Sequence, residues 1–194
     1  ELSEYIEQLQ KEAYLIRKND KDGVRISNSG FHGYHSKDIR DLNNLPRTNQ
    51  LLKQIINAVN TIHQISRKGE LQLTNFWINI SDKGSSNTPH THSGLTYSGV
   101  FFIKVPKEME SGRFLFYRNF NEATLISTEY MGHFKEGYKM QGYDYPINTI
   151  SPKENMLVVF PAWVPHAVEI NLSDVERISL SFNFKLNRNF PKVK

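Results

Sequence analysis

The chain contains no cysteine. That excludes disulfides, thiolate metal ligands and a cysteine nucleophile, so a bound metal must rest on His, Asp or Glu. It also agrees with a cytoplasmic protein. Long apolar runs are missing too. The strongest, Met156 to Pro165, is far too short to span a bilayer, and the acidic, helix-patterned start does not read as a signal peptide, so a soluble protein is expected. There is little excess charge of one sign: 24 Lys+Arg stand against 20 Asp+Glu, a net +4. The densest basic cluster is the tail from Lys185 to Lys194, where Arg188, Lys192 and Lys194 read as a solvated terminus, so neither nucleic acid nor membrane is an expected partner. Because residue 1 is Glu, some native N-terminal sequence is expected to precede it.

What is present suits one globular domain. The 194 residues are 38% hydrophobic and 23% charged, enough to bury a core without implying disorder. One domain over 1–194 is expected, with a helical part at 1–70 and a β core at 71–186. Leu2, Tyr5, Ile6, Leu9, Ala13 and Ile16 recur at helical spacing. A second helix carries Leu51, Leu52, Ile55, Ile56, Val59 and Ile62 on one stripe, with Thr48 or Asn49 as its cap and Arg67, Lys68 and Gly69 as its end. Between them, Val24 to His35 reads as an irregular loop. From Leu71 onward, short β-branched and aromatic runs predict strands at Leu71 to Ile80, Leu95 to Val105, Arg113 to Tyr117, Thr124 to Ser127, Met156 to Phe160, His166 to Ile170 and Arg177 to Leu186. Strands in that number after two helices predict a mainly β sandwich or jelly roll with the helices on one sheet. The long aromatic loop Tyr130 to Tyr145 reads as a lid.

His90 and His92 form an H-x-H pair. Residues two apart on extended backbone point to one side, so both rings can reach one ion. His166 opens a later strand that a β-barrel fold could bring to the pair, and three imidazoles on one face of a metal leave its other face open. Two loop histidines and a core histidine are the structural alternative.

Arg177 lies eleven residues past His166 and begins a strand with Ser179, Ser181 and Asn183 on one face and Ile178, Leu180, Phe182 and Phe184 on the other. The polar face is expected to line a cavity. A guanidinium there can clamp a carboxylate bidentately, with Ser179 adding a hydroxyl; an exposed edge-strand arginine is the bland reading. Asn79 shares a strand face with Trp77, opposite Phe76, Ile78 and Ile80, as either a ligand contact or a satisfied structural amide.

With these pieces in this order, the chain resembles the Fe(II)/2-oxoglutarate-dependent oxygenases, and within them a small 2OG-Fe(II) oxygenase family of bacteria and tailed phages. The matching segments are ISNSGFHGYHS at Ile26 to Ser36, FWINI at Phe76 to Ile80, PHTHSGLTYSGVFFIKVP at Pro89 to Pro106, FPAWVPHAVEI at Phe160 to Ile170 and RISLSFNF at Arg177 to Phe184. The resemblance implies a double-stranded β-helix, Fe(II) held by His90, His92 and His166, and 2-oxoglutarate as cosubstrate. It further implies Arg177 and Ser179 on the far carboxylate, Asn79 near the metal-chelating end, and O₂ as the other cosubstrate. Oxidation of an unidentified prime substrate would release succinate and CO₂, in a cell's cytoplasm or that of a phage host. The superfamily's usual second ligand is a carboxylate in H-x-D or H-x-E, whereas His92 stands there in this chain; three neutral ligands also suit Zn²⁺ or Ni²⁺.

Two other readings stay open at this level. Gly84, His90 and His92 fit the G-x₅-H-x-H start of a cupin, although the cupin glutamate is absent around Thr96 and Tyr97 and Arg177 has no role there. A jelly-roll binding protein could instead use Trp163 and Tyr143 against sugar.

Overall fold

The computed structural model describes residues 2–20, 33–66, 69–107, 111–117 and 147–187. Helix α1 (Leu2–Asn19) buries Ile6, Leu9, Ala13 and Ile16 at steps of three and four residues, while Leu2, at its first position, lies beyond the packed face and is exposed. Strand β1 (Tyr34–His35) lies in what reads as loop sequence, and helix α2 (Pro46–Ser66) follows it. On α2 the buried row runs Leu52, Ile55, Val59 and then His63, which is 1% exposed, whereas Ile62 is 56% exposed. Four-residue steps keep the row on one side, so the expected stripe through Ile62 is replaced by one through His63.

The start of α2 also departs from expectation. Proline at the first helical position needs no N–H partner, and the cap is neither Thr48 nor Asn49. The carboxylate of Glu12, on α1, accepts the backbone N–H of Arg47 at 2.9 Å and of Thr48 at 2.7 Å, and the Thr48 hydroxyl at 2.6 Å. A charge on free helix N–H groups also meets the positive end of the helix dipole, so one buried glutamate fastens the two helices together. Among the described residues no helix is long and apolar enough to cross a membrane.

The remaining strands are β2 (Leu71–Ser81), β3 (Asn87–His90), β4 (Tyr97–Lys104), β5 (Phe114–Tyr117), β6 (Ile147–Ile150), β7 (Leu157–Pro161), β8 (His166–Val168) and β9 (Arg177–Leu186). They form a five-stranded sheet in the order β1-β2-β9-β4-β7 and a four-stranded sheet in the order β3-β8-β5-β6, with antiparallel pairing throughout. Strand β9 falls within its expected bounds, and β2, β4, β5 and β7 within two residues of theirs. Strand β8 ends at Val168 rather than Ile170, and β1, β3 and β6 are additional. The expected strand Thr124 to Ser127, the loop Tyr130 to Tyr145, Arg67, Lys68, Tyr143 and the basic tail from Arg188 lie outside the described residues, as does most of Val24 to His35.

Strict alternation along β9 decides what each face does. Ile178, Leu180, Phe182 and Phe184 join Phe76, Ile78, Ile80, Phe101 and Ile103 and the helical residues Leu9, Leu52, Ile55 and Val59 in one core, so both helices cover the outer face of the five-stranded sheet. The opposite face looks toward the smaller sheet, where Val100, Phe102, Phe114, Val158, Phe160 and Val168 make a second core. Two antiparallel sheets enclosing a core of this kind form a jelly roll. Each buried Phe, Leu or Ile contributes about 1.5–3 kcal/mol, so the larger core can tolerate a polar row on the inner face of β9.

Candidate functional site

The three histidines converge. His90, the last residue of β3, is the register partner of His166 on β8, and their ring centroids are 4.3 Å apart. His92 lies two residues on, its backbone N–H held by the Ala162 carbonyl at 2.9 Å. One nitrogen from each ring can be chosen so that all lie within 4.8 Å of one another, and Nε2 of His92 is 3.3 Å from Nε2 of His166. Two imidazoles on one ion at about 2.1 Å, seen at roughly a right angle, sit about 3 Å apart, so the spacing fits a shared metal.

The tautomers fit as well. Nδ1 of His90 lies 2.8 Å from the Thr88 carbonyl and Nδ1 of His166 lies 3.0 Å from that of Val164. Carbonyls only accept, so each Nδ1 carries the proton and each Nε2 presents a lone pair. His166 is 3% exposed and packed by Phe114 and Phe160, with ring centroids at 5.5 and 4.6 Å. Burial pushes His92 and His166 down to about 4, and the neighbouring histidines push in the same direction. At neutral pH both are neutral, the form that binds a metal.

Arg177 is buried at 5% exposure on the inner face of central strand β9, so the exposed edge-strand reading is excluded. Nη1 donates to the Gly112 carbonyl at 2.7 Å and Nη2 to the Ser81 hydroxyl at 3.3 Å, while Nε has no partner among the described residues. Burial brings its pKa down to about 10, which leaves a cation near neutrality. Both of these partners are neutral. An unpaired buried charge costs about 3–5 kcal/mol, and a guanidinium in this setting is suited to bind a carboxylate. Ser179 is buried two residues along the same face and opposite Asn79 of β2, and the Asn79 amide donates to Ser181 Oγ at 2.9 Å.

Some neighbours were not singled out from sequence. His35 pairs with Asn79 across the β1–β2 ladder and stacks on Trp77 at 5.3 Å, and Trp77 is 6.2 Å from His92. The ladder continues to Ser36, whose hydroxyl accepts the Ile78 N–H at 3.0 Å. The motif GYHS held this information, but a strand of two residues gives no periodicity to read. Ser81 was legible by extending the alternation Trp77, Asn79 by one step. Trp163, in the turn between β7 and β8, is 73% exposed.

Residues 75–183 match the model of the family described as "Putative 2OG-Fe(II) oxygenase". No curated protein matches the chain. Among solved structures, a prolyl-4-hydroxylase from Pseudomonas putida is 15% identical with a TM-score of 0.61, covering 94% of this chain and 88% of that one. AviO1 from Streptomyces viridochromogenes is 12% identical with a TM-score of 0.61, over 97% and 87%. HygX from Streptomyces hygroscopicus, solved with nickel and 2-oxoglutarate bound, is 10% identical with a TM-score of 0.54, over 93% and 78%. At such identities the structures establish the fold, the double-stranded β-helix of these oxygenases. The family match, which spans more than half of the sequence and contains the H-x-H pair, the distal histidine and Arg177, makes this chain a member of the 2OG-Fe(II) oxygenase family, oxidoreductases that use Fe(II), 2-oxoglutarate and O₂.

Proposed function

We propose that this chain oxidises a C–H bond of an organic substrate, with His90, His92 and His166 as the iron ligands. Arg177 binds the far carboxylate of 2-oxoglutarate, Ser179 adds a hydroxyl to the same group, and Asn79 stands toward the chelating end. The helical part and the jelly roll act as one catalytic domain. Bound iron with its cosubstrates supplies the oxidation: one oxygen atom of O₂ goes to the substrate and the other to succinate, as 2-oxoglutarate loses CO₂.

The chain's own contribution is binding and orientation. The β3–β8 pairing holds two ligands at fixed separation, and backbone carbonyls fix their tautomers. Phe114 and Phe160 keep water from one side of His166. The observation that carries the reading is Arg177: a buried guanidinium with only neutral described partners and a free Nε, on the face that looks between the sheets. A cupin-type enzyme that does not use 2-oxoglutarate has no task for that cation.

The test is conversion of 2-oxoglutarate to succinate by purified protein, followed by mass spectrometry. Turnover is expected only with Fe(II) and O₂ together, slow without prime substrate, with equal amounts of succinate and CO₂. Protein that binds iron yet neither binds nor consumes 2-oxoglutarate would return the site to the cupin reading.

A further inference from the structure

We propose that Glu169 and Arg113 form a bracket that fixes the Gly112 carbonyl against Arg177 and so selects the edge of the guanidinium that receives the cosubstrate. This rests on the reading of Arg177 given above. Glu169 follows β8 and Arg113 precedes β5, neighbouring strands of the smaller sheet. The Glu169 carboxylate accepts from Nε and Nη2 of Arg113 at 2.7 Å each and from the Arg113 backbone N–H at 3.2 Å. In return the Glu169 N–H donates to the Arg113 carbonyl at 2.9 Å. The planar fork matches both carboxylate oxygens, which fixes direction as well as distance. On the other side of Gly112, Ser111 Oγ accepts the Leu172 N–H at 3.0 Å.

Gly112 is therefore held between two fastened residues. Its φ of 73° lies in the left-handed region, where a side chain would be strained, and this turns its carbonyl onto Nη1 of Arg177 at 2.7 Å. A guanidinium can grip a carboxylate end-on through Nη1 and Nη2 or side-on through Nε and Nη2. Gly112 and Ser81 each use one N–H of Nη1 and Nη2, and Nε has no partner among the described residues, so the side-on edge, which holds that free Nε, is the one assigned to the ligand.

The bracket has little to do for stability. Arg113 and Glu169 keep 42% and 24% of their side-chain surfaces exposed, and pairs so exposed contribute little to folding. Glu169 is a positioning residue, acting on the ligand only through Gly112 and Arg177.

The experiment uses anaerobic Fe(II)-loaded protein titrated with two probes: 2-oxoglutarate, and oxalate, which can chelate the metal but has no far carboxylate. Glu169→Gln and Arg113→Gln should each weaken 2-oxoglutarate binding about 3- to 10-fold and leave oxalate affinity unchanged. The double variant should lose no more than either single one, since both break the same pair. Equal losses for both probes, additive losses in the double variant, or parent-like 2-oxoglutarate affinity in Glu169→Gln would each overturn the bracket. Arg177→Ala serves as the reference. If it weakens 2-oxoglutarate while the bracket variants do not, only this inference falls; if it too binds 2-oxoglutarate like the parent, the cosubstrate reading itself falls.

Discussion

His90 and His166 are direct partners in the β3–β8 ladder, with their rings 4.3 Å apart between centroids. Main-chain pairing therefore holds these two residues side by side, and the third histidine of the cluster, His92, is tied by its backbone N–H to Ala162 in the turn that leads to β8. A site prepared in this way should bind its ion with little rearrangement.

Replacing any of the three histidines with Ala should abolish stoichiometric Fe(II) binding, measured anaerobically by metal analysis. The substitutions should differ in stability. His90 is exposed and its loss should leave the melting curve near that of the parent, whereas His166→Ala opens space beside Phe114 and Phe160 and should cost about 1–3 kcal/mol. Parent-like metal binding by His92→Ala would remove His92 from the ligand set.

Acid should destabilise the metal-free protein over a defined window. Burial holds His92 and His166 at about 4, against an ordinary 6.5. As pH falls below about 6.5, the unfolded chain takes up protons that the folded one does not, and the imbalance pulls the equilibrium toward unfolding until the folded groups also protonate near 4. Stability should thus be intact above 6.5, decline between 6.5 and 4, and lose its dependence on these groups below that. Urea midpoints at half-unit steps would show it. His166→Gln should flatten the slope, and an unaltered slope would mean that other groups govern it.

Glu12 should matter to folding more than any surface carboxylate. It satisfies two backbone N–H groups and a hydroxyl at the start of α2, and a lost cap costs about 0.5–2 kcal/mol, more when buried donors are left unpaired. Glu12→Ala is expected to cost about 2–3 kcal/mol in chemical denaturation, and Glu12→Gln less, because its amide oxygen can still accept. Equal stability in the Ala variant would place the cap in water.

That cap shows where the sequence stopped being legible. Glu12 and Thr48 are 36 residues apart, and no local pattern links them, so Thr48 read as a cap when it is one of the groups being capped. The strict alternation RISLSFNF made β9 and the inward face of Arg177 readable, because period two leaves one assignment for each face. Strand β3 escaped notice because Asn87–His90 contains a proline and no apolar run, yet its pairing with β8 is what joins His90 to His166. Likewise Ile62 is more apolar than His63, and only the geometry of packing against the sheet places the histidine inside and the isoleucine outside.

Arg177→Ala gives the most direct test of cosubstrate binding. The guanidinium is buried, its described partners are neutral, and its Nε is free, so a ligand carboxylate would meet a cation already stripped of water. Removing one partner of such a charge-assisted pair costs about 2–5 kcal/mol, so 2-oxoglutarate affinity in the absence of O₂ should fall about 30-fold or more. Fe(II) binding should survive, since Arg177 is not part of the histidine cluster that could hold the ion. Arg177→Lys should recover only part of the loss: an ammonium keeps the charge but cannot hold the Gly112 carbonyl and the Ser81 hydroxyl while offering a planar edge to the ligand. Full recovery with Lys would mean that charge alone anchors the cosubstrate, and parent-like affinity in the Ala variant would remove 2-oxoglutarate from this pocket.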